Sequence, residues 1–427
     1  MGRSTGMRRL AVVAAVVTLL AIGARITLGQ GLTVGTAMAL VLVPSWWPVL
    51  RRFWGARVFM AAGAVAALSG AWLTELSSQD HRVSTSSLVS TTLLLVGIIA
   101  SVGVILWARE LMSDARVAAW LGVGLLFQFS LQSELFISNP WKFGFSTGVT
   151  VILLAIAQHF RNRWLELAAL IALTAASAAT DARSSFAILL LSIILTAWQL
   201  RPRRITRRGS VARFVIAVTA IGIVVYNVGQ TLILDGYLGD AARERSVEQI
   251  DTSGSLILGG RPELAATLAL MQNQPWGYGA GVLPTLSDIT VAKTGMAAIG
   301  YQPNNGYVEG YMFGDSFELH SVIGDLWANF GIPGLLLAGT VLVLVARGLS
   351  LSIAHGTASA VLIYVAVRGF WNLFFGPIYS SATLLAILVG LVLMRRSAQM
   401  SADPSAEAQP GFAVDPAVNE VVRPRRQ

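Results

Sequence analysis

His320 stands in the stretch Phe317-Glu318-Leu319-His320-Ser321-Val322-Ile323-Gly324-Asp325 and is one of four histidines in a 427-residue chain. An imidazole titrates at about 6.5 when unperturbed, so it can take a proton from a hydroxyl near neutral pH without large tuning. Asp315 and Glu318 stand three apart. That spacing predicts Asp315 as a helix N-cap with Glu318 folding back on it, which puts His320 in the first turns of a helix. There the positive end of the helix dipole would keep the ring neutral and able to accept a proton. Glu318 and Asp325 are the nearby acids. At helical spacing Asp325 points away from His320, which leaves Glu318 or a loop residue as the ring's partner. The plainer alternative is an interfacial histidine that caps a span.

Four cations accompany it. Arg261 immediately precedes Pro262, and proline suits a first helical turn. A guanidinium beside free backbone N–H groups makes an anion site; the alternative is an arginine snorkelling to lipid phosphate. Arg183 lies in Thr180-Asp181-Ala182-Arg183-Ser184-Ser185, a very short turn between two apolar runs, with Asp181 as its simplest partner. Arg368 lies inside the apolar run Ala358–Phe375. A charge within a span carries a penalty of at least about 2.5–3.5 kcal/mol and so faces a polar interior. Glu134 is its best structural counter-ion. Lys142 sits in Asn139-Pro140-Trp141-Lys142-Phe143, with Trp141, Trp276, Tyr278, Tyr301, Tyr307 and Tyr311 expected on the same side. Aromatic rings suit the C–H faces of sugars, with Tyr278 chosen as a substrate contact, but they also populate every membrane interface. One histidine and several arginines make a simple site, in which the cations hold a diphosphate and the histidine takes a proton from an attacking hydroxyl. No metal-ligand cluster, Walker loop or dinucleotide fingerprint is present in the sequence. No cofactor is expected, and the donor must arrive already activated.

The elements that position these residues are membrane spans. The hydrophobic fraction is 55% and the charged fraction 12%, about half the charge of a soluble chain. The net charge of +9 comes in short clusters between apolar runs, which is an orientation signal, and no nucleic-acid partner is expected. There is no cysteine, which excludes disulfides and thiolate metal sites. The fold class expected is an all-α polytopic membrane protein of about 12 transmembrane helices. The runs are 10–28, 30–50, 58–73, 88–108, 117–137, 146–160, 164–181, 184–200, 213–233, 320–346, 357–375 and 378–394. Arg8 and Arg9, then Arg51, Arg52 and Arg57, Arg109 and Arg116, Arg161 and Arg163, the arginines of 201–208, Arg347, and Arg395 and Arg396 fall on one side. Every second connection is basic, so both termini are expected in the cytoplasm.

The domains expected are residues 1–233 with spans one to nine, 234–319 as one large, partly helical outer loop before the last three spans, 320–396 with those spans, and 397–427 as a disordered cytoplasmic tail. The loop carries an amphipathic helix from Pro262 to about Asn273, with Leu264, Leu268 and Met271 on one face, expected to lie flat on the outer leaflet. Gly331, Pro333 and Gly334 should break the helix that follows His320.

Three segments together resemble the O-antigen ligase and O-antigen polymerase superfamily. They are His320 to Leu335 with Gly-Ile-Pro-Gly-Leu at its end, Arg261 to Gly281 with Asn-Gln-Pro-Trp-Gly-Tyr-Gly-Ala-Gly, and Asp181-Ala182-Arg183-Ser184-Ser185, where Ala182 replaces the family's serine. The likeness extends over about 180–395. It implies a glycosyltransferase on the outer face of the cytoplasmic membrane, working without metal on a polyprenyl-diphosphate-linked oligosaccharide donor and a glycan or glycolipid acceptor. By motif, His320 would be the acceptor-activating base and Arg183 and Arg261 the diphosphate ligands. Ligase and polymerase are not separated. Two other readings stand beside it. A transporter or lipid flippase would use Arg368 and Glu134 along a pathway, but the halves show no internal repeat. A peptidoglycan glycosyltransferase of the shape-and-division type fits the motifs less well.

Overall fold

A computed structural model describes residues 2–180, 182–200, 211–236 and 239–396. The chain is almost wholly helical. Helix α1 (Gly2–Ala24) leads through a small hairpin, β1 (Thr27–Gly29) and β2 (Leu32–Thr33), into α2 (Val34–Val41), α3 (Val43–Trp46) and a 3-10 turn to Arg52. Then come α4 (Ala56–Ser77), α5 (Thr85–Leu111), α6 (Asp114–Leu125) and the short α7 (Glu134–Ser138). A π turn over Trp141–Phe145 runs into α8 (Ser146–His159), followed by α9 (Arg163–Ala179), α10 (Arg183–Trp198) and α11 (Val211–Leu234). The long connection contains α12 (Asp240–Ser253), α13 (Leu256–Gly260), α14 (Glu263–Asn273) and α15 (Leu286–Ala297). Helices α16 (Val322–Ala354), α17 (Ala360–Phe375) and α18 (Ile378–Val392) complete the bundle.

The boundaries follow from capping. Ser84, Ser113, Asn162 and Ser359 each accept a bond from the N–H two or three residues on, starting α5, α6, α9 and α17. Thr285 and Asp288 form a reciprocal capping box on α15.

Among the described residues five helices are long and apolar enough to cross a membrane: Gly6–Ala24, Ala56–Ser77, Thr85–Leu111, Trp141–His159 and Val322–Ala354. The pair Val34–Val41 and Val43–Arg52, bent by 59°, makes a sixth if it is one broken span. Each expected apolar run contains a helix, but α10, α17 and α18 are shorter apolar helices and α6 has only 12 residues. The protein is thus an all-α multi-pass membrane protein, with five or six full-length spans among the described residues; these do not confirm the expected count of about twelve. Residues 126–133, inside one expected run, form no regular helix. The tail 397–427 and the basic segment 201–208 lie outside the described residues.

The basic connections do gather at one end. Arg109 chelates Asp114 through Nε and Nη2, both at 2.9 Å, and donates to the carbonyls of Gly390 and Leu393 at 2.7 Å. Glu110 takes Arg52 at 2.6 Å and Arg395 at 3.3 Å. Arg163 bonds Glu166 and the Gly356 carbonyl, and Arg347 lies over the Trp54 ring. At the other end Asn139 donates to the Thr180 carbonyl and Arg183 to Ser246 of α12. The connections 139–143, 180–184 and 234–317 therefore meet on a common face.

That face carries its own core, with Ala266, Leu270, Tyr278, Met296, Met312, Phe317, Leu319 and Trp327 among its buried members. Helix α14 packs its Ala266, Thr267 and Leu270 side inward, next to α15, while Leu268 is exposed. Helix α14 has the expected limits, but of the expected apolar face Leu268 is exposed while Met271 packs against the core. The helix is seated on protein through Ala266, Thr267 and Leu270, and Gly295 of α15 lies so close to Ala265 and Ala269 that a Cβ there would clash.

Candidate functional site

The loop that carries the histidine is fixed from three sides. The expected break in α16 is present at Gly331, whose φ of 64° and ψ of −148° leave the helix. Only glycine adopts that conformation at low strain. The break frees the Ala328 carbonyl, which accepts from Tyr278 N and Gly279 N at 2.8 and 3.0 Å. Trp327 Nε1 donates to the Pro275 carbonyl at 3.0 Å. Gly277, at φ 85°, lies so close that a Cβ would fall 2.4 Å from the Trp327 carbonyl. The segment continues along α4, with Ser77 Oγ donating to the Tyr278 carbonyl and Gly281 N to Thr74 Oγ1. The Pro-Trp-Gly-Tyr-Gly and Gly-Ile-Pro-Gly segments are therefore two halves of one joint that clamps the loop to the bundle.

His320 does not lie in the first turns of a helix, and Asp315 is not the cap. The N-cap is Ser321, whose Oγ accepts from Gly324 N. The same hydroxyl donates to the Leu373 carbonyl on α17 at 3.0 Å. His320 is the residue before the cap, with a left-handed φ of 52°. Non-glycine residues held there are uncommon and gather at functional sites.

The reason for this geometry is Asp325, which is 1% exposed. Its Oδ1 accepts from Leu319 N and its Oδ2 from Ile378 N, each at 2.7 Å. One buried carboxylate thus ties the residue before His320 to the first residue of α18, and both of its oxygens are satisfied. Asp325 does point away from the ring, as helical spacing implied, yet it positions the ring through the backbone.

The imidazole Nδ1 lies 3.1 Å from the Glu318 carbonyl. A carbonyl only accepts, so Nδ1 carries a proton, and in the neutral ring Nε2 is the nitrogen left to accept one. The ring partner is thus the backbone of Glu318 rather than its carboxylate. The ring stacks on Tyr311 at 4.7 Å, and Tyr311 stacks on Tyr307 at 5.3 Å. The Tyr307 hydroxyl donates to Glu263 Oε1. Burial, and then the Glu263 carboxylate, push the Tyr307 phenol above its ordinary pKa, while the nearby Arg261 charge opposes this. Arg261, Glu263, Tyr307, Tyr311 and His320 hence share one neighbourhood. Sequence reasoning missed Glu263, whose Oε2 is buried without a partner. The signal available was its place in the first turn after Arg261-Pro262.

Arg183 opens α10, and its Nη1 donates to Ser246 Oγ at 2.8 Å. Its simplest expected partner, Asp181, lies outside the described residues. Arg368 Nη1 donates to Ser185 Oγ at 3.1 Å, two residues along α10 from Arg183. Among the described residues no ion pair joins Arg368 to Glu134, which is exposed at the start of α7, so the pathway pair of the transport reading is not formed. Helix α12 links the two sides of the site. Its Ser246 receives Arg183, and its Gln249 lies against Gly259 and Gly260, directly before Arg261.

Tyr278 is not a surface contact. It is 1% exposed, stacks on Phe317 at 4.1 Å and meets Trp327 edge-on. Burial and the nearby Asp288 carboxylate raise its phenol pKa. Its ring was chosen for sugar stacking, but the joint between the glycine segment and α16 uses it as core. Lys142 is exposed and lies 5.0 Å from the Phe143 ring centre. It shares with Arg368 the wall of an open groove of about 770 Å³. No group of three or more His, Asp or Glu suited to a metal occurs among the described residues.

A family model described as O-Antigen ligase matches residues 167–339. Over that segment the chain is similar to the O-antigen ligase family, which supports the resemblance its motifs carry. The match runs from α9 into α16 and includes Arg183, Arg261, Tyr278 and His320, whereas Lys142 and Arg368 fall outside it. No curated protein and no solved structure gives a significant match to the chain.

Proposed function

On the premise of an O-antigen ligase domain, we propose that this glycosyltransferase moves a polyprenyl-diphosphate-linked glycan onto a hydroxyl acceptor, by ligation or polymerisation, at the outer face of the cytoplasmic membrane. The observation that carries the reading is the state of His320. Its Nδ1 faces the Glu318 carbonyl at 3.1 Å, which leaves Nε2 of the neutral ring to act as the base. In the reaction the acceptor oxygen attacks the anomeric carbon, and its proton passes to His320 Nε2. The bond from that carbon to the diphosphate oxygen breaks, and polyprenyl diphosphate leaves. Arg261 and Arg183 are the groups to hold the diphosphate and stabilise the charge that develops on it. The placement on the outer face rests on the basic connections gathering at the end away from His320.

The direct experiment uses purified protein in lipid with a polyprenyl-diphosphate oligosaccharide and a glycan acceptor. Release of polyprenyl diphosphate, matched by glycan added to the acceptor and unaffected by a metal chelator, is expected. Release to water alone, or no release, would refute the transfer reading. Sidedness is read separately with single cysteines in this cysteine-free chain. Ser253→Cys should react with an impermeant thiol reagent in intact cells, and Ser210→Cys should not.

A further inference from the structure

The open groove of about 770 Å³ lies on the same end of the bundle as His320. Among the described residues that line it are three cations, Arg25, Lys142 and Arg368, and no carboxylate. Arg25 follows α1 in a left-handed conformation, φ 53°. Its guanidinium donates to the Tyr379 carbonyl and lies 3.9 Å from the Tyr379 ring centre. Burial lowers its pKa, which is the direction expected for a cation lacking a full counter-charge. Arg368 spends Nη1 on the neutral Ser185 hydroxyl, and its Nε is buried without a partner. All three residues lie outside the matched segment 167–339.

The far wall is apolar and exposed, with Phe127 at 69%, Leu135 at 53% and Phe143 at 41%. A cationic pocket with an apolar lip suits an anion carried on a lipid.

The groove and the histidine loop lie on the two sides of one turn, residues 372–379. Asn372 and Tyr379 line the groove. Their neighbours Leu373 and Ile378 hold Ser321 and Asp325. A ligand in the groove is therefore one residue removed, along the chain, from the contacts that fix His320.

We propose that this groove is a second anion subsite, distinct from the Arg183 and Arg261 pair, and that it takes the phosphate or carboxylate of a lipid-anchored acceptor. The assignment to the acceptor rests on the proposed function, since the donor diphosphate is already provided for; the site itself does not.

Binding and turnover are therefore measured apart. Labelled decyl phosphate is titrated into the detergent-solubilised protein by equilibrium dialysis. Lys142→Gln, an exposed change with little bearing on folding, should weaken binding about tenfold, and adding Arg25→Gln should weaken it further. Binding unchanged in both variants would overturn the subsite. Equal loss in Arg183→Gln with Arg261→Gln would also overturn it, by placing the phosphate at the donor site. Inorganic phosphate competing as well as decyl phosphate would overturn the lipid anchor. In turnover, Lys142→Gln should raise KM for a phosphorylated or uronate-bearing acceptor and leave KM for the donor unchanged; the reverse pattern would overturn the assignment to the acceptor. Loss of decyl phosphate binding in a protein without transferase activity would support the subsite while refuting the proposed reaction.

Discussion

Two grooves, one at each end of the bundle, are lined by arginine and differ in what the arginines touch. The groove at the basic end, of about 550 Å³, is lined by Arg109 and Arg395 together with Glu110 and Asp114. There Arg109 is closed by a bidentate carboxylate and two carbonyls, and Glu110 serves both Arg52 and Arg395. At the opposite end Arg25 and Arg368 bond a carbonyl and a hydroxyl. A guanidinium already chelated by a carboxylate has little left for an incoming anion, whereas one held by neutral groups keeps its charge available. The first set builds the membrane protein, and the second is suited to substrate. Counting arginines per connection, which orients the chain, does not separate the two.

The largest effect should come from His320, proposed as the base at the substrate end. His320→Ala should lower kcat by about 10² to 10⁴, the usual size of a general-base contribution. His320→Gln, which can hydrogen-bond but cannot take the proton, should be nearly as slow. Full activity of His320→Gln in the polyprenyl diphosphate release assay would show that the residue only orients the acceptor.

Next is Asp325, a buried acid at this end with a scaffold role like that of the carboxylates at the other. Asp325→Ala leaves the N–H groups of Leu319 and Ile378 buried without an acceptor, at about 1–3 kcal/mol each. Thermal unfolding in detergent should show that loss, and turnover should fall because the His320 loop is released. Asp325→Asn keeps one acceptor and should fall between. A variant that melts lower yet turns over normally would remove Asp325 from the positioning of His320.

The contrast between the ends is sharpest in matched arginine changes. Arg183→Gln or Arg261→Gln should weaken binding of a polyprenyl diphosphate by about tenfold or more with little change in melting temperature. Arg109→Gln should do the opposite, because it strands Asp114 and two carbonyls while touching no substrate. Donor affinity lost in Arg109→Gln would break the distinction. The smallest effect belongs to Arg52, whose side chain is 67% exposed. Arg52→Ala should change stability by less than about 1 kcal/mol, as for other exposed pairs.

Much of this was legible in the residues alone. Apolar run length and arginine alternation gave a helical membrane protein with a basic and a non-basic end, because insertion and orientation depend on local hydropathy and charge. Pro262 and Asn273 bounded α14, and Gly331 broke α16, because those signals act within one turn. Motif order gave the family resemblance, which the match over 167–339 supports. The fold itself had to decide the rest. His320 precedes its helix because Asp325 reaches back to Leu319 and across to Ile378, 53 residues away. Tyr278 is core because a kink in α16 offers it a carbonyl. Arg25 joins a groove with Tyr379, 354 residues further on. Such contacts depend on which helices become neighbours, and no local spacing in the chain encodes that choice.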